Sequence, residues 1–186
     1  MEFIDSVIDS DDDLVSLGAF SMVEGAILYS SFAFLKHFQS AGKNKLMTVV
    51  RGINFSVRDE NLHSLGGAYL YNTLREETGR EGPVEKLREV ALKLYEHECQ
   101  IIDMIFEKGS IEGITPIQMK HFVASRVNLC LKNLGIDKVI DVKYNPIADW
   151  FYTGINAYQM NDFFTGIGNE YSRDWTKEEF KWKVEE

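Results

Sequence analysis

An all-α bundle of long helices is the fold class this sequence predicts, on three observations. Only 3 prolines occur in 186 residues, which suits long uninterrupted helices better than a turn-rich β fold. Apolar residues make up 45% of the chain, enough for a packed core at this length. Helix start and stop signals alternate at helix-length spacing along the first three quarters of the sequence.

The elements follow in order. The acidic run Ser10-Asp11-Asp12-Asp13 reads as a helix N-terminus, where carboxylates meet the positive end of the macrodipole. A helix is predicted from there over 14–40, stopped by Ala41-Gly42. A second covers 45–78 and ends at Gly79; a third opens at Pro83, runs to Lys108 and stops at Gly109. The fourth start is the clearest, with Thr115 as N-cap, Pro116 as first helical residue and Gln118 as the returning side chain of a capping box. That helix ends at Gly135. Beyond Asn145-Pro146 the chain turns aromatic and less periodic, and 175–186 alternates charge with Trp, Phe and Val.

Charge and cysteine usage narrow the function classes. A net charge of -9 with no basic cluster argues against a phosphate backbone as partner, so no nucleic acid is expected. Cys99 and Cys130 lack CxxC spacing and read as reduced thiols of a cytoplasmic protein. Residues 1–13 are acidic, unlike a signal peptide. The apolar stretch 25–35 is interrupted by serines and ends at Lys36 and His37, too short for a bilayer, so no membrane association is expected.

The chemistry-bearing residues sit on the first two predicted helices. Glu24 lies within Met22-Val23-Glu24-Gly25-Ala26-Ile27-Leu28, and a carboxylate in so apolar a setting needs a cation or a hydrogen-bonding partner. Glu60 and His63 stand at i and i+3, one turn apart on one helix face. Bundles that hold two metals use a Glu from each of two helices and a Glu-x-x-His from each of the other two; this chain has one of each. Ordinary readings exist for both. A Glu-x-x-His can be a solvated pair, and Glu24 can be a helix-surface residue or an ion-pair partner of Arg51 or Arg58. The register favours the metal: Gly42 lies 18 residues after Glu24 and 18 before Glu60, so a hairpin with a constant rise per residue brings the two level.

The strings themselves resemble a known family. Val23-Glu24-Gly25 followed by Ser31-Phe32-Ala33 is similar to the helix supplying the first second-half iron ligand of class I ribonucleotide reductase small subunits. Arg58-Asp59-Glu60-Asn61-Leu62-His63 resembles that family's Arg-Asp-Glu-x-Leu-His stretch, and Asn145-Pro146-Ile147, Asp162-Phe163-Phe164 and Asn169-Glu170-Tyr171-Ser172 resemble its late loop and helix. The resemblance implies a ferritin-like helical bundle, with 1–173 as the C-terminal half of the di-iron domain and 174–186 as a tail. It implies Glu24, Glu60 and His63 as ligands, from this chain, to half of a site for two Fe ions, with Mn chemically suitable too. Asp59 would be the carboxylate that orients a histidine ligand of the other half and joins the radical-transfer path. Phe32 would wall the metals, or simply fill core, and Ser31 carries still less.

Several family features are missing. No other Glu-x-x-His occurs, since residues 34, 94 and 118, three before the remaining histidines, are Phe, Leu and Gln. Position 67, four after His63, is glycine, so this is not the tyrosine-bearing ligand helix. No tyrosine follows Tyr171 to serve as a tail relay. The resemblance therefore implies an N-terminal half present as a separate chain, a large catalytic subunit as partner, small-subunit dimerisation, and a role in reducing ribonucleotides to deoxyribonucleotides. Two alternatives stand beside it. In one, a symmetric homodimer completes a ferritin-like di-iron oxidase site from two copies. In the other, the chain is a helical interaction module without activity.

Overall fold

The expected first helix starts where the acidic run placed it. In the computed structural model, which describes residues 6–152 except 41, 42, 44 and 143, Asp12 is the N-cap of α1 (Asp13–Ala26) and its Oδ1 accepts from the Leu14 amide at 2.9 Å. Arg80 reaches the same oxygen at 2.8 Å.

The single helix predicted over 14–40 is in fact two. α1 stops at Ala26 and α2 (Tyr29–His37) begins after Leu28, which adopts the left-handed conformation at φ 70°. For a residue with a Cβ that conformation costs about 1–2 kcal/mol. Two buried charged side chains from distant helices offset the cost. Glu98 accepts from the amides of Leu28 at 3.3 Å and Ser30 at 3.0 Å, and Arg126 Nε donates to the Gly25 carbonyl at 3.0 Å. Hydrogen bonds to charged groups contribute about 1.5–3 kcal/mol each, so the break is stable despite the strained leucine.

The remaining helices match expectation closely. α3 (Met47–Thr78) ends on left-handed Gly79, and α4 (Val84–Phe106) follows Pro83. α5 (Pro116–Asn133) carries the full capping box: Thr115 Oγ1 accepts from the Gln118 amide at 3.3 Å, and Gln118 Oε1 accepts from the Thr115 amide at 3.0 Å. Past it, where the sequence turns aromatic and less periodic, the chain forms one more helix. Asn145 Oδ1 accepts from the Ala148 amide at 3.3 Å, capping a helix over 146–152. The late motifs 162–164 and 169–172, the 173/174 boundary and the tail lie outside the described residues.

α1 packs chiefly on α3, and its other sides meet α4 and α5, which pack on each other. The core stripe of α4 is Leu87, Val90, Ala91, Leu94 and Ile102, and burying each large side chain there contributes about 1.5–3 kcal/mol. Small residues set the α1–α3 approach. A Cβ on Gly67 would lie 2.9 Å from Phe20 Cδ1 and 3.2 Å from the Ser21 backbone. Ser21 and Ser64 bond reciprocally across this contact, each hydroxyl donating to the other's carbonyl at 2.7 and 2.8 Å. Those bonds fix the register near Glu24 and Glu60. Taken as one run, Asp13–His37 is long and apolar enough to cross a bilayer, with a hydropathy of 1.3; it is also broken at 27–28, and 56% of its most apolar window is buried in the bundle. A core helix pair accounts for that composition.

Candidate metal centre

The hairpin places Glu24 of α1 beside Glu60 and His63 of α3. His63 Nδ1 lies 3.0 Å from Glu24 Oε2 and 3.4 Å from Glu60 Oε2, and one ligand atom from each of the three falls within 4.8 Å of the others. Among the described residues no other trio of His, Cys, Asp or Glu is gathered this way. Glu24 and Glu60 meet as residue counting expected although the break at 27–28 lies between Glu24 and the turn, because the reciprocal Ser21–Ser64 bonds hold α1 and α3 in register.

Electrostatics make this a place that favours positive charge. The hydrogen bond shared with Glu24 pushes the Glu60 acid above its ordinary range, helped by burial and by the negative charge of Glu24, while His63 pulls it back. His63 is held above the usual imidazole range, first by its hydrogen bond to Glu24 and then by Glu60. Glu60 and His63 both hold their protons more tightly beside Glu24 than they would apart, which marks a place where a bound positive charge is favoured. Two hard carboxylate oxygens with one imidazole suit iron or manganese, so the residues present fit a di-metal carboxylate centre as half of its ligand set.

The cluster faces outward. Side-chain exposure is 53% for His63, 22% for Glu24 and 27% for Glu60, so nothing described closes the site from that side. Leu62, Leu65, Tyr69 and Leu70 are also exposed on α3, and of these Leu70, seven residues after His63, lies on the face of His63. Leu62, Leu65 and Tyr69 form a separate exposed flank of that helix, turned away from Glu60 and His63. Asp59 is also exposed on α3 and stands outside the trio. Phe32 is buried with its ring edge-on to Tyr29, centroids 5.6 Å apart, and Ser31 is half-buried. The side chain 3.0 Å from Glu24 is that of His63, the residue the metal reading requires. Cys99 and Cys130 are free thiols; Cys130 is buried and Cys99 partly so.

Sequence reasoning missed Glu98 and Arg126, which are 0% and 2% exposed. A signal was available. Glu98 sits on the apolar stripe of α4 between Leu94 and Ile102, and Arg126 between Val123 and Val127 on that of α5. A charge on a core stripe marks a buried group that must find partners.

Comparison with known proteins agrees with this architecture. Residues 1–146 match the family model described as ribonucleotide reductase, small chain. The probable ribonucleoside-diphosphate reductase small subunit 048L of Invertebrate iridescent virus 3 is 30% identical over 171 residues, covering 87% of this chain and 45% of the relative. A solved chain from Bacillus halodurans, assigned to class I ribonucleotide reductase, superposes with a TM-score of 0.68 at 25% identity, covering 82% of this chain and 57% of that one. The ribonucleotide reductase Rnr4 homodimer from Saccharomyces cerevisiae shares the fold, with a TM-score of 0.63 at 17% identity, over 84% of this chain and 49% of that one. The chain thus spans about half the length of the relatives it matches. With the helical order and the matched residues 1–146 in agreement, this chain belongs to the ribonucleotide reductase small-chain family.

Proposed function

We propose that this chain supplies half of the di-metal centre of a ribonucleoside-diphosphate reductase small subunit, with Glu24, Glu60 and His63 as its metal ligands. The observation that carries the proposal is the trio itself: three donors from two antiparallel helices within 4.8 Å, open to the outside. A closed di-metal site needs about twice that set, and the open side of the cluster, with exposed Leu70 two turns beyond His63 on the same face of α3, offers a surface for the helices that bring the rest. The occupant we favour is an N-terminal half carried on a separate chain, the assembled small subunit then dimerising and docking on a large catalytic subunit.

Bound iron supplies one-electron redox chemistry with dioxygen, the source of the radical used to reduce ribonucleotides. This chain's part is to hold and orient. Glu24 and Glu60 provide anionic oxygens, His63 gives up its proton and provides a ring nitrogen, and buried Phe32 lends the neighbouring α2 an apolar side. Asp59, exposed on α3 one residue before Glu60, would accept a hydrogen bond from a histidine on the covering helices and so set its tautomer.

Iron per chain decides the matter. After anaerobic ferrous loading, the purified 186-residue chain should take up little iron, and addition of a small-subunit first half should restore two irons per assembled site, lost again in Glu60→Ala. About one iron per chain in an oxygen-reactive dimer of this chain alone would show completion by symmetry and refute the separate half. No iron in either setting, with the two halves associated, would refute the metal reading.

A further inference from the structure

Immediately after Glu24, the backbone bonds of a continuous helix are replaced by bonds to side chains. In an unbroken helix the Leu28 amide would donate to the Glu24 carbonyl, the Tyr29 amide to Gly25 and the Ser30 amide to Ala26. Here the Leu28 and Ser30 amides go to the two carboxylate oxygens of Glu98, at 3.3 and 3.0 Å, and the Gly25 carbonyl takes Arg126 Nε at 3.0 Å. The Arg126 guanidinium also lies 4.0 Å from the centroid of the Tyr29 ring, the first residue of α2. Both side chains are buried, on α4 and α5, helices that carry none of the three ligands.

The geometry points to Glu98 and Arg126 as positioning residues for Glu24: they hold the helix broken at Ile27 and Leu28, one turn beyond it, and so fix where its carboxylate meets Glu60 and His63. A carboxylate and a guanidinium satisfy opposite polarities of the same break, the amides that open α2 and the carbonyl that closes α1. Burying two charges is costly unless each is well bonded, and a break in mid-core has exactly such unpaired backbone groups to offer. With that brace removed, the lowest-cost repair is to re-form the backbone ladder across 24–30, which turns Glu24 relative to α3.

This inference rests on Glu24 being a metal ligand, and its test separates the two questions. Glu98→Gln keeps the size of the side chain but turns a nitrogen donor toward the Leu28 or Ser30 amide; Arg126→Lys keeps the charge and loses the planar stack on Tyr29. In the metal-free chain, amide hydrogen exchange at Leu28 and Ser30 and the ring-nitrogen NMR shifts of His63 are recorded at one pH. The expected result is exchange at least tenfold faster at those two amides, with the His63 shifts moved toward those of Glu24→Gln and protection in α4 and α5 retained. Either variant giving faster exchange with wild-type His63 shifts would overturn the positioning role. Unchanged exchange at both amides in both variants would overturn the brace itself. Cobalt(II) absorption of the wild-type chain assembled with a first half is read in parallel, and failure there counts against the metal reading alone.

Discussion

Gly25→Ala is the most informative single substitution, because two opposing effects can be weighed from the structure. Inside a helix, replacing Gly by Ala ordinarily gains about 1 kcal/mol. At Gly25 the new Cβ would collide with Cys130 Sγ and Ser64 Oγ and would lie 3.1 Å from Ser64 Cβ. Neither neighbour yields cheaply. Cys130 is 1% exposed, and Ser64 Oγ donates to the Ser21 carbonyl at 2.8 Å, so rotating it away forfeits a buried hydrogen bond of about 1 kcal/mol. Overpacking of this kind costs about 1–3 kcal/mol, and with the lost bond the gross penalty is about 2–4 kcal/mol. Net destabilisation should be about 2 kcal/mol, a fall in Tm of about 4–8 °C at this chain length. Urea and thermal unfolding followed by circular dichroism measure it. Gly66→Ala is the control: Gly66 lies on α3 with nothing within 4 Å of a new Cβ, so it should gain up to about 1 kcal/mol. Gly25→Ala as stable as wild type would show that the α1–α3–α5 contact yields more easily than its hydrogen bonds indicate.

Two further outcomes concern protons. His63 sits above the usual imidazole range through Glu24 and Glu60, and a metal must displace its proton. Affinity of the assembled site for cobalt(II) should therefore fall about tenfold per pH unit below the His63 pKa, a decline that begins above pH 6.5; titration calorimetry in buffers of different ionisation enthalpy counts the released proton, and a pH-independent affinity would contradict the ligand role. Lys36, buried against Asn54 Oδ1 with its ammonium 5.2 Å from the Phe151 ring centroid, is brought down to about 8 by burial and then by the charge of Arg58. Between that value and 10.5 the unfolded chain binds the proton that the folded chain has released, so stability rises with pH there, by up to about 3 kcal/mol. Lys36→Met should lose that rise in pH-resolved urea unfolding, and an unchanged slope would refute it.

Much of this molecule was legible in one dimension because its signals are local. A capping box needs only Thr115, Pro116 and Gln118 within four residues, a glycine stop needs only Gly79 or Gly135, and a Glu-x-x-His shares a face by helix geometry alone. Even the meeting of Glu24 with Glu60 was anticipated from equal distances to one turn, although the arm between Glu24 and that turn is broken and the Ser21–Ser64 bonds set the register.

What the chain order could not show is whatever depends on groups far apart in sequence. Periodicity runs unbroken through 14–40, so nothing nearby announces that α1 ends at Ala26. The interruption depends on Glu98 and Arg126, about 70 and 100 residues away, and their bonds exist only once α4 and α5 pack against it. The tight seat of Gly25 on Cys130 and Ser64 is likewise a property of three helices meeting. The openness of the candidate site, with His63 half in solvent, is visible only when the faces left uncovered can be seen. Local backbone chemistry determined the helices and the kind of site; long-range packing decided where the first helix breaks and which side of the site lies open.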